Sequence, residues 1–158
     1  MMFVAPKLYK HPEFKIGMRE LAPQALGIAA WGLMTGVAMV KAGMGLWASI
    51  AMALLVFAGS SQLAAIPLIV AGAPAWVILV TGFCVNLRFA VFSLHLRQYM
   101  MAWPRSQRLC IGYFIADMNY VQFVHSYPQA SETSEGQRSE MAYLSGNCFL
   151  NWFGWQVS

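Results

Sequence analysis

AGMGLWASIAMALLVFAGSSQLAAIPLIVAGAPAWVILVTGFCVNL, residues 42–87, contains no charged side chain. A bilayer crossing takes about 20 apolar residues in an α-helix, so this run is long enough for at least two membrane segments. A second uncharged run, residues 21–40, is itself of spanning length. Within hydrocarbon, a helix satisfies its backbone hydrogen bonds inside one segment. The sequence therefore predicts an all-α, polytopic integral membrane protein.

The overall composition agrees with residence in a bilayer. The chain is 59% hydrophobic and 10% charged, whereas soluble domains carry about 25% charged residues. Its net charge is +4, but the basic residues stand at the ends of apolar segments, where they typically mark cytoplasmic flanks. We therefore expect the chain to be embedded in the lipid bilayer and not to bind nucleic acid.

Motifs of enzymatic chemistry are absent from the sequence, including GxSxG, HExxH, CxxC and phosphate-binding glycine loops. The three cysteines are far apart and lie in apolar sequence, which is typical of small core residues. We expect no enzymatic activity, no cofactor and no metal.

Polar interruptions divide the chain into segments. We predict an amphipathic lead-in over residues 1–20 and a single helical membrane domain over residues 21–158, with a polar loop at 125–140. The last apolar stretch ends without a polar flank, as expected for a domain that is incomplete at its C-terminus. About four transmembrane segments and the start of a fifth are expected, at residues 21–40, 46–70, 75–101, 109–124 and 141–158.

The positions of the charges conflict with simple crossings. Basic residues between 7 and 19 favour a cytoplasmic N-terminus, and Arg97, Arg105 and Arg108 favour a cytoplasmic connector. Three simple crossings between these two clusters would put them on opposite sides of the membrane. If the charge rule holds, one intervening element must be re-entrant or built from paired half-helices. We expect this broken or re-entrant helix around residues 56–74.

The expected break falls at Gly59-Ser60-Ser61-Gln62, a polar motif inside an apolar stretch. If the helix is interrupted here, free N–H groups at the start of a half-helix could hold an anion such as a carboxylate. Gln62 could then receive an ammonium group, and such a site would fit a zwitterion. The alternative is an intact helix in which the serines bond back to carbonyls one turn earlier and the glycine serves packing.

Three ionisable residues lie inside the apolar segments. Arg88 and Asp117 would each be costly alone at the centre of a bilayer, by about 2.5–3.5 kcal/mol on insertion scales. Either they form an ion pair that only sets the helix register, or both face a substrate or proton pathway. His95 follows Arg88 on about the same helix face and is a candidate for proton coupling; the alternative is an interfacial polar group.

Three stretches of the sequence occur in a recognisable order. They are the residues Val56-Phe57-Ala58-Gly59-Ser60-Ser61-Gln62, then Ala71-Gly72-Ala73, then Asn86-Leu87-Arg88 with its following small and aromatic run. Together they resemble the AzlC family of branched-chain amino acid exporters. Asp117 stands where the family has the aspartate of a T-D-E segment, and Phe89 where it usually has a histidine.

The resemblance implies export of valine, leucine, isoleucine or similar hydrophobic amino acids across a bacterial inner membrane by a multi-pass secondary carrier. It also implies a small membrane partner of the AzlD type. The candidate residues are, for substrate binding, Gly59, Ser60, Ser61, Gln62, Asn86 and Arg88, and, for coupling, Asp117 and His95. Two other functions stay open: a membrane interaction subunit that does not transport, and an inactive remnant of a carrier.

Overall fold

A computed structural model describes residues 8–158, and within this range every regular element is an α-helix. Residues 1–7, which begin the predicted lead-in, lie outside the described part. The helices are α1 (Pro12–Lys41), α2 (Leu46–Val56), α3 (Gly59–Val70), α4 (Ala75–Met100), α5 (Arg105–Phe114), α6 (Asp117–Ser126) and α7 (Ser134–Val157).

Two helices of the described range, α1 and α4, are both long and apolar enough to cross a membrane. The four spans expected from the sequence are not confirmed. Helices α2 and α3 are apolar but have only 11 and 12 residues, whereas a crossing takes about 20. Helix α7 has 24 residues and is long enough, but it carries too many polar side chains to count as an apolar span.

The break expected around residues 56–74 is confirmed, and it lies at Phe57 and Ala58. Phe57 adopts the left-handed conformation, with φ +39°, which an aromatic residue rarely takes. Its carbonyl group therefore leaves the axis of α2, and α3 begins afresh at Gly59.

A second break was not predicted. The segment expected over residues 109–124 is divided at Ile115 and Ala116, both in extended conformation. The Asn119 side chain stabilises the new start because its Oδ1 accepts the Ala116 N–H at 2.9 Å. Asp117 then occupies the first turn of α6, where a negative charge is favoured.

Two predicted boundaries move by several residues. Helix α1 begins at Pro12, not at residue 21, because His11 caps it: His11 Nδ1 accepts the Glu13 N–H at 3.3 Å. Helix α7 begins at Ser134, inside the expected polar loop, because Thr133 Oγ1 accepts the Gly136 N–H at 3.1 Å. The turn between α6 and α7 is therefore confined to residues 127–133.

Helices α1 and α7 run parallel in close contact. Near their starts, a Cβ on Gly17 would overlap the Tyr143 carbonyl, and a Cβ on Gly146 would overlap the Phe14 carbonyl. Further along, Gly154 faces Ala25 and Ile28. Small residues at these positions let the two backbones approach, as is typical of helix packing in membranes.

Contacts with α4 show in which direction the short helices α3 and α6 run. Helix α4 runs parallel to α6, because Phe92 stacks on Tyr120 with ring centroids 4.0 Å apart and Tyr99 contacts Phe123 further along. It runs antiparallel to α3, because Ser60 contacts Arg88 while the short turn at residues 71–74 joins the other ends. Helices α3 and α6 therefore start near the middle of α4 and diverge towards its two ends.

Each break thus turns the chain back on itself. We call α2 and α3 the first helical hairpin and α5 and α6 the second; their tips are residues 57–58 and 115–116. The tips meet, since the Phe57 and Tyr113 ring centroids lie 6.2 Å apart and Tyr113 Oη donates to the Leu54 carbonyl. The first hairpin reaches the middle of the molecule from the end where α1 finishes, and the second hairpin reaches it from the opposite end.

The two hairpins belong to similar units of opposite direction. Helices α2, α3 and α4 have 11, 12 and 26 residues. Helices α5, α6 and α7 have 10, 10 and 24 residues. Opposed repeats of this kind are common in secondary transporters. They were not predicted from the sequence.

This path of the chain also explains how the two clusters of basic residues, near the N-terminus and around the α4–α5 connector, can lie on the same side. Because the first hairpin turns back, only α1 and α4 run the length of the molecule between the two clusters, so the start of α1 and the connector between α4 and α5 lie at the same end. Lys15 and Arg19 are therefore on the same side as Arg97, Arg105 and Arg108. One re-entrant element had been expected, and two are present.

The buried core lies at this charged end. It is built mainly from aromatic and aliphatic side chains of α4, α6 and α7, including Tyr99, Phe123 and Tyr143. At its edge, Tyr127 Oη donates to Glu13 Oε2 at 3.1 Å. Burial, together with the nearby Glu13 carboxylate, raises the pKa of Tyr127 well above its usual value, so this hydroxyl stays protonated and keeps α1 joined to the turn after α6.

Candidate functional site

A cleft of about 580 Å³ lies where the two hairpin tips meet α1, α4 and α7. We call it the central cleft. It combines one ion pair and a few polar groups with an apolar wall. Its lining residues are Pro23, Gln24, Gly27, Ile28, Trp31, Phe57, Ala58, Gly59, Ser60, Arg88, Phe89, Ala116, Asp117, Met118, Asn151 and Trp155.

Arg88 joins the two hairpin tips. Its Nη1 lies 3.1 Å from Asp117 Oδ2 on the second hairpin, and its Nη2 donates to Ser60 Oγ on the first at 2.5 Å. The guanidinium carbon lies 5.2 Å from the centre of the Phe89 ring, a distance typical of a cation–π contact. Arg88 therefore holds both tips through two different nitrogens of one planar group.

The ion pair remains accessible from the central cleft. The side chains of Arg88 and Asp117 are 37% and 44% exposed, and the Arg88 Nε–H has no protein partner within residues 8–158. A pair that served only to set helix register would be expected to be fully enclosed and satisfied. This pair presents part of its charged surface to the cleft, while the Arg88 Nε atom itself is buried without a partner among the described residues.

Two helix N-termini also point at the central cleft. Helices α3 and α6 start at Gly59 and Asp117, and their preceding residues, Ala58 and Ala116, have no side chain able to cap the first N–H groups. The start of a helix carries a partial positive charge and unpaired N–H donors. At α6 the Asp117 carboxylate occupies this position, whereas the first turn of α3 carries no acidic residue.

Indole rings form the apolar wall beside the first tip. A Cβ on Gly59 would lie 2.6 Å from Trp31 Nε1 and 2.5 Å from Trp155 Cη2. Only glycine fits between these two rings without displacing them. The Phe57 ring closes the same corner, edge-on to Trp155 at 6.1 Å.

Four of the residues predicted from the sequence line the central cleft, namely Gly59, Ser60, Arg88 and Asp117. Two others support the tip behind them: Ser61 Oγ donates to the Ala58 carbonyl at 2.9 Å and accepts from Asn86 Nδ2 at 3.4 Å. Both alternatives for the serines are thus partly realised, since the helix is broken and Ser61 still bonds back to the preceding turn.

Gln62 and His95 do not line the central cleft. Gln62 is fully buried, and its side chain faces a second cavity, of about 490 Å³, between α1 and α2. Neither of its amide atoms has a partner within residues 8–158. His95 lies two turns further along α4, where its Nδ1 is 2.8 Å from Tyr120 Oη.

Sequence reasoning missed two features of the site: the aromatic residues of the apolar wall, and the asparagines that hold the second hairpin tip in place. Trp31 and Trp155 gave no signal beyond their hydrophobicity. Asn119 and its partners are a clearer case, because asparagines at helical spacing on α7 were a visible pattern. Asn119 Nδ2 donates to Asn147 Oδ1, and Asn151 Nδ2 donates to Asn119 Oδ1 at 3.0 Å.

The Asn119 anchor leads to a prediction on stability. Asn119→Ala removes the partner of two amides that are almost fully buried, and each unsatisfied group costs about 1–3 kcal/mol. For a chain of this size, about 1 kcal/mol shifts the unfolding midpoint by about 2–4 °C. We expect a midpoint at least 4 °C lower in a fluorescence melting experiment, whereas Gln98→Ala, at an exposed position of α4, leaves it unchanged. Equal midpoints for both variants would contradict the anchoring role.

The described residues offer no cluster of metal-binding side chains. Among residues 8–158, no three histidine, cysteine, aspartate or glutamate side chains lie close enough together to hold a metal ion. The groups available for chemistry in the cleft are therefore the ion pair, the free start of α3 and the apolar wall.

Comparison with known proteins gives one match. The family model described as "AzlC protein" matches residues 23–158, which covers both hairpins, α4, α7 and most of α1. Neither the curated proteins nor the solved structures contain a significant match to the chain. The chain belongs to the AzlC family of membrane transport proteins.

Proposed function

We propose that this protein exports branched-chain amino acids, namely valine, leucine and isoleucine, across a bacterial inner membrane. It would act as the large subunit of a secondary carrier together with a small AzlD-type membrane partner. Membership of the AzlC family supports a transport role. The observation that carries the choice of substrate is the accessible Arg88–Asp117 pair set in an apolar cleft.

The central cleft is complementary to each part of a hydrophobic zwitterion. The α-carboxylate fits the free N–H groups at the start of α3 and the accessible part of the Arg88 guanidinium. The α-ammonium fits the Asp117 carboxylate. A branched aliphatic side chain then lies against Trp31, Trp155 and Phe57, where burying about 100 Å² of apolar area would contribute about 2.5 kcal/mol.

The same geometry provides a route to alternating access. Without substrate, Arg88 joins the two tips through Ser60 and Asp117. A bound zwitterion supplies a competing carboxylate for Arg88 and a competing ammonium for Asp117, so the link between the tips weakens when the site is filled. Because the hairpins enter from opposite ends, loosening one or the other opens the cleft to a different side. Asp117 is also the residue available to carry a coupling proton, and His95 is a second candidate further along α4.

The charge distribution supports an orientation in the membrane. Among the described residues, the end that carries the start of α1 and the α4–α5 connector holds most of the basic side chains, whereas the other end holds Lys41. By the positive-inside rule, the first end is cytoplasmic. In this proposed multi-pass arrangement α1 and α4 cross the membrane as apolar spans, the more polar α7 crosses packed against α1, and the two hairpins are re-entrant.

Ligand-dependent stabilisation tests the binding site directly. At about ten times its Kd, leucine should stabilise the purified protein by about 1.4 kcal/mol, which raises the unfolding midpoint by about 3–5 °C. Leucinamide, which lacks the carboxylate, and 4-methylpentanoate, which lacks the ammonium, should each give less than a third of this shift. Equal shifts with all three compounds would show that the ion pair does not recognise the zwitterion.

Transport itself is measured in proteoliposomes loaded with radiolabelled leucine, with and without the AzlD-type partner. We expect efflux that depends on both subunits and is inhibited by valine and isoleucine. Efflux without the partner at the full rate would remove the two-component part of the proposal.

A second candidate is a membrane protein that does not transport, because the contacts of Arg88 with both tips would also suit a purely structural role. Arg88, Ser60 and Asp117 would then only hold the hairpin tips together, in a membrane interaction subunit or a remnant that does not transport. Such a protein would show no leucine-dependent shift of its unfolding midpoint and no efflux, although it would still insert into membranes.

A further inference from the structure

A groove separate from the central cleft lies between the second half of α4 and α5, at the basic end of the molecule. Its volume is about 870 Å³. Its outer rim consists of Arg97, Arg105 and Arg108, and its floor is apolar, with Phe92 and Leu96 among its members. We call it the arginine groove. No residue that lines it is acidic.

The three rim arginines are not neutralised by the protein. Within residues 8–158 the one ion pair is that of Arg88 with Asp117, so none of the three arginines meets a carboxylate there. The contact that Arg108 makes is to a sulfur: its Nη1 lies 3.5 Å from Met101 Sδ. The rim therefore presents three positive charges with free donors over an apolar floor.

The arginine groove opens sideways, towards the surface that lipid would cover. Two of its lining residues, Leu94 and Leu109, are 73% and 77% exposed. Large apolar side chains this exposed cost less free energy next to hydrocarbon than next to water. The groove is thus continuous with the apolar surface along one edge and basic at the other.

We propose that the arginine groove binds an anionic phospholipid of the cytoplasmic leaflet, such as phosphatidylglycerol. The headgroup phosphate lies among Arg97, Arg105 and Arg108, since guanidinium groups form paired hydrogen bonds with phosphate oxygens. One acyl chain follows the apolar floor towards Phe92. Basic pockets between helices at the cytoplasmic side are typical sites for anionic lipid headgroups. A water-soluble anion would use the rim but not the floor, so lipid is the occupant that matches both.

Lipid-dependent melting of the purified full chain in a neutral detergent tests this site. Phosphatidylglycerol should raise the unfolding midpoint by at least 4 °C, and native mass spectrometry should show one or two bound molecules. Phosphatidylcholine and inorganic phosphate at matched concentration should each shift the midpoint by less than 1 °C. An equal shift with phosphatidylcholine would show that the charges are not used, and an equal shift with phosphate would show a free-anion site; either result overturns the proposal.

Charge-matched variants separate the groove from general attraction to basic protein. R97Q/R105Q/R108Q should lose at least three quarters of the phosphatidylglycerol shift. K15Q/R19Q/R138Q removes three charges from residues that do not line the groove and should keep the shift. Single variants R105Q and R108Q, each expected to lose part of it, replace the triple variant if that fails to fold. Equal loss in both triple variants, or retention in both, overturns the proposal.

Discussion

Arg88→Ala is expected to abolish leucine efflux while the protein still inserts into the membrane. The substitution removes the two contacts that Arg88 makes with the hairpin tips, to Ser60 and to Asp117, and it leaves the Asp117 carboxylate without its cation. Truncating one partner of a fully desolvated charge pair costs about 2–5 kcal/mol; because this pair is partly exposed to solvent, we expect the low end of that range, a loss of about 30-fold in binding. Efflux from proteoliposomes should fall below the detection limit.

Arg88→Lys and Arg138→Ala serve as controls. Lysine keeps the charge but is a point donor that cannot reach two partners with a fixed planar fork, so we expect it to restore a small part of the activity. Arg138 is exposed on α7 and outside the central cleft, and its loss should leave efflux unchanged. Normal efflux by Arg88→Ala in protein that is present at the same level would remove Arg88 from the mechanism.

Gly59→Ala is the second substitution for which we expect a large effect, a loss of efflux of at least tenfold. The added methyl group would lie 2.6 Å from Trp31 Nε1 and 2.5 Å from Trp155 Cη2, closer than real Cβ contacts. One indole must therefore move, and both indoles line the central cleft. The methyl group thus disturbs both the wall of the cleft and the start of α3.

A matched glycine and a compensating change make this prediction specific. Gly82→Ala on α4 places its methyl group in open space and should be neutral or slightly stabilising. Gly59→Ala combined with Trp31→Phe removes one of the two clashing ring atoms, Trp31 Nε1, and should recover part of the efflux; the coupling between the two changes is measured by a double-mutant cycle. Additive losses, or full efflux by Gly59→Ala alone, would contradict a tight fit at this tip.

Both predictions depend on the convergence of the hairpin tips, and only part of that convergence was predictable. The break at Phe57 and Ala58 follows a visible signal, a glycine and three polar residues in an apolar stretch. The break at Ile115 and Ala116 has no glycine or proline, so hydropathy joined α5 and α6 into one segment. Its signal was Asp117 followed by Asn119, an acidic residue and a side-chain acceptor in a first turn.

The sequence by itself determined the environment, the helical class, the first break, the family and the two charged residues inside the membrane region. These properties depend on hydrophobicity, on turn chemistry and on motifs, which are local along the chain. The tertiary structure alone decided that both short helix pairs turn back, that they enter from opposite ends, and that Arg88 reaches Ser60 and Asp117 together. Those outcomes depend on contacts between residues far apart in sequence, 28 positions in the case of Ser60 and Arg88. Their stability comes from packing and hydrogen bonding between helices, which no single segment contains.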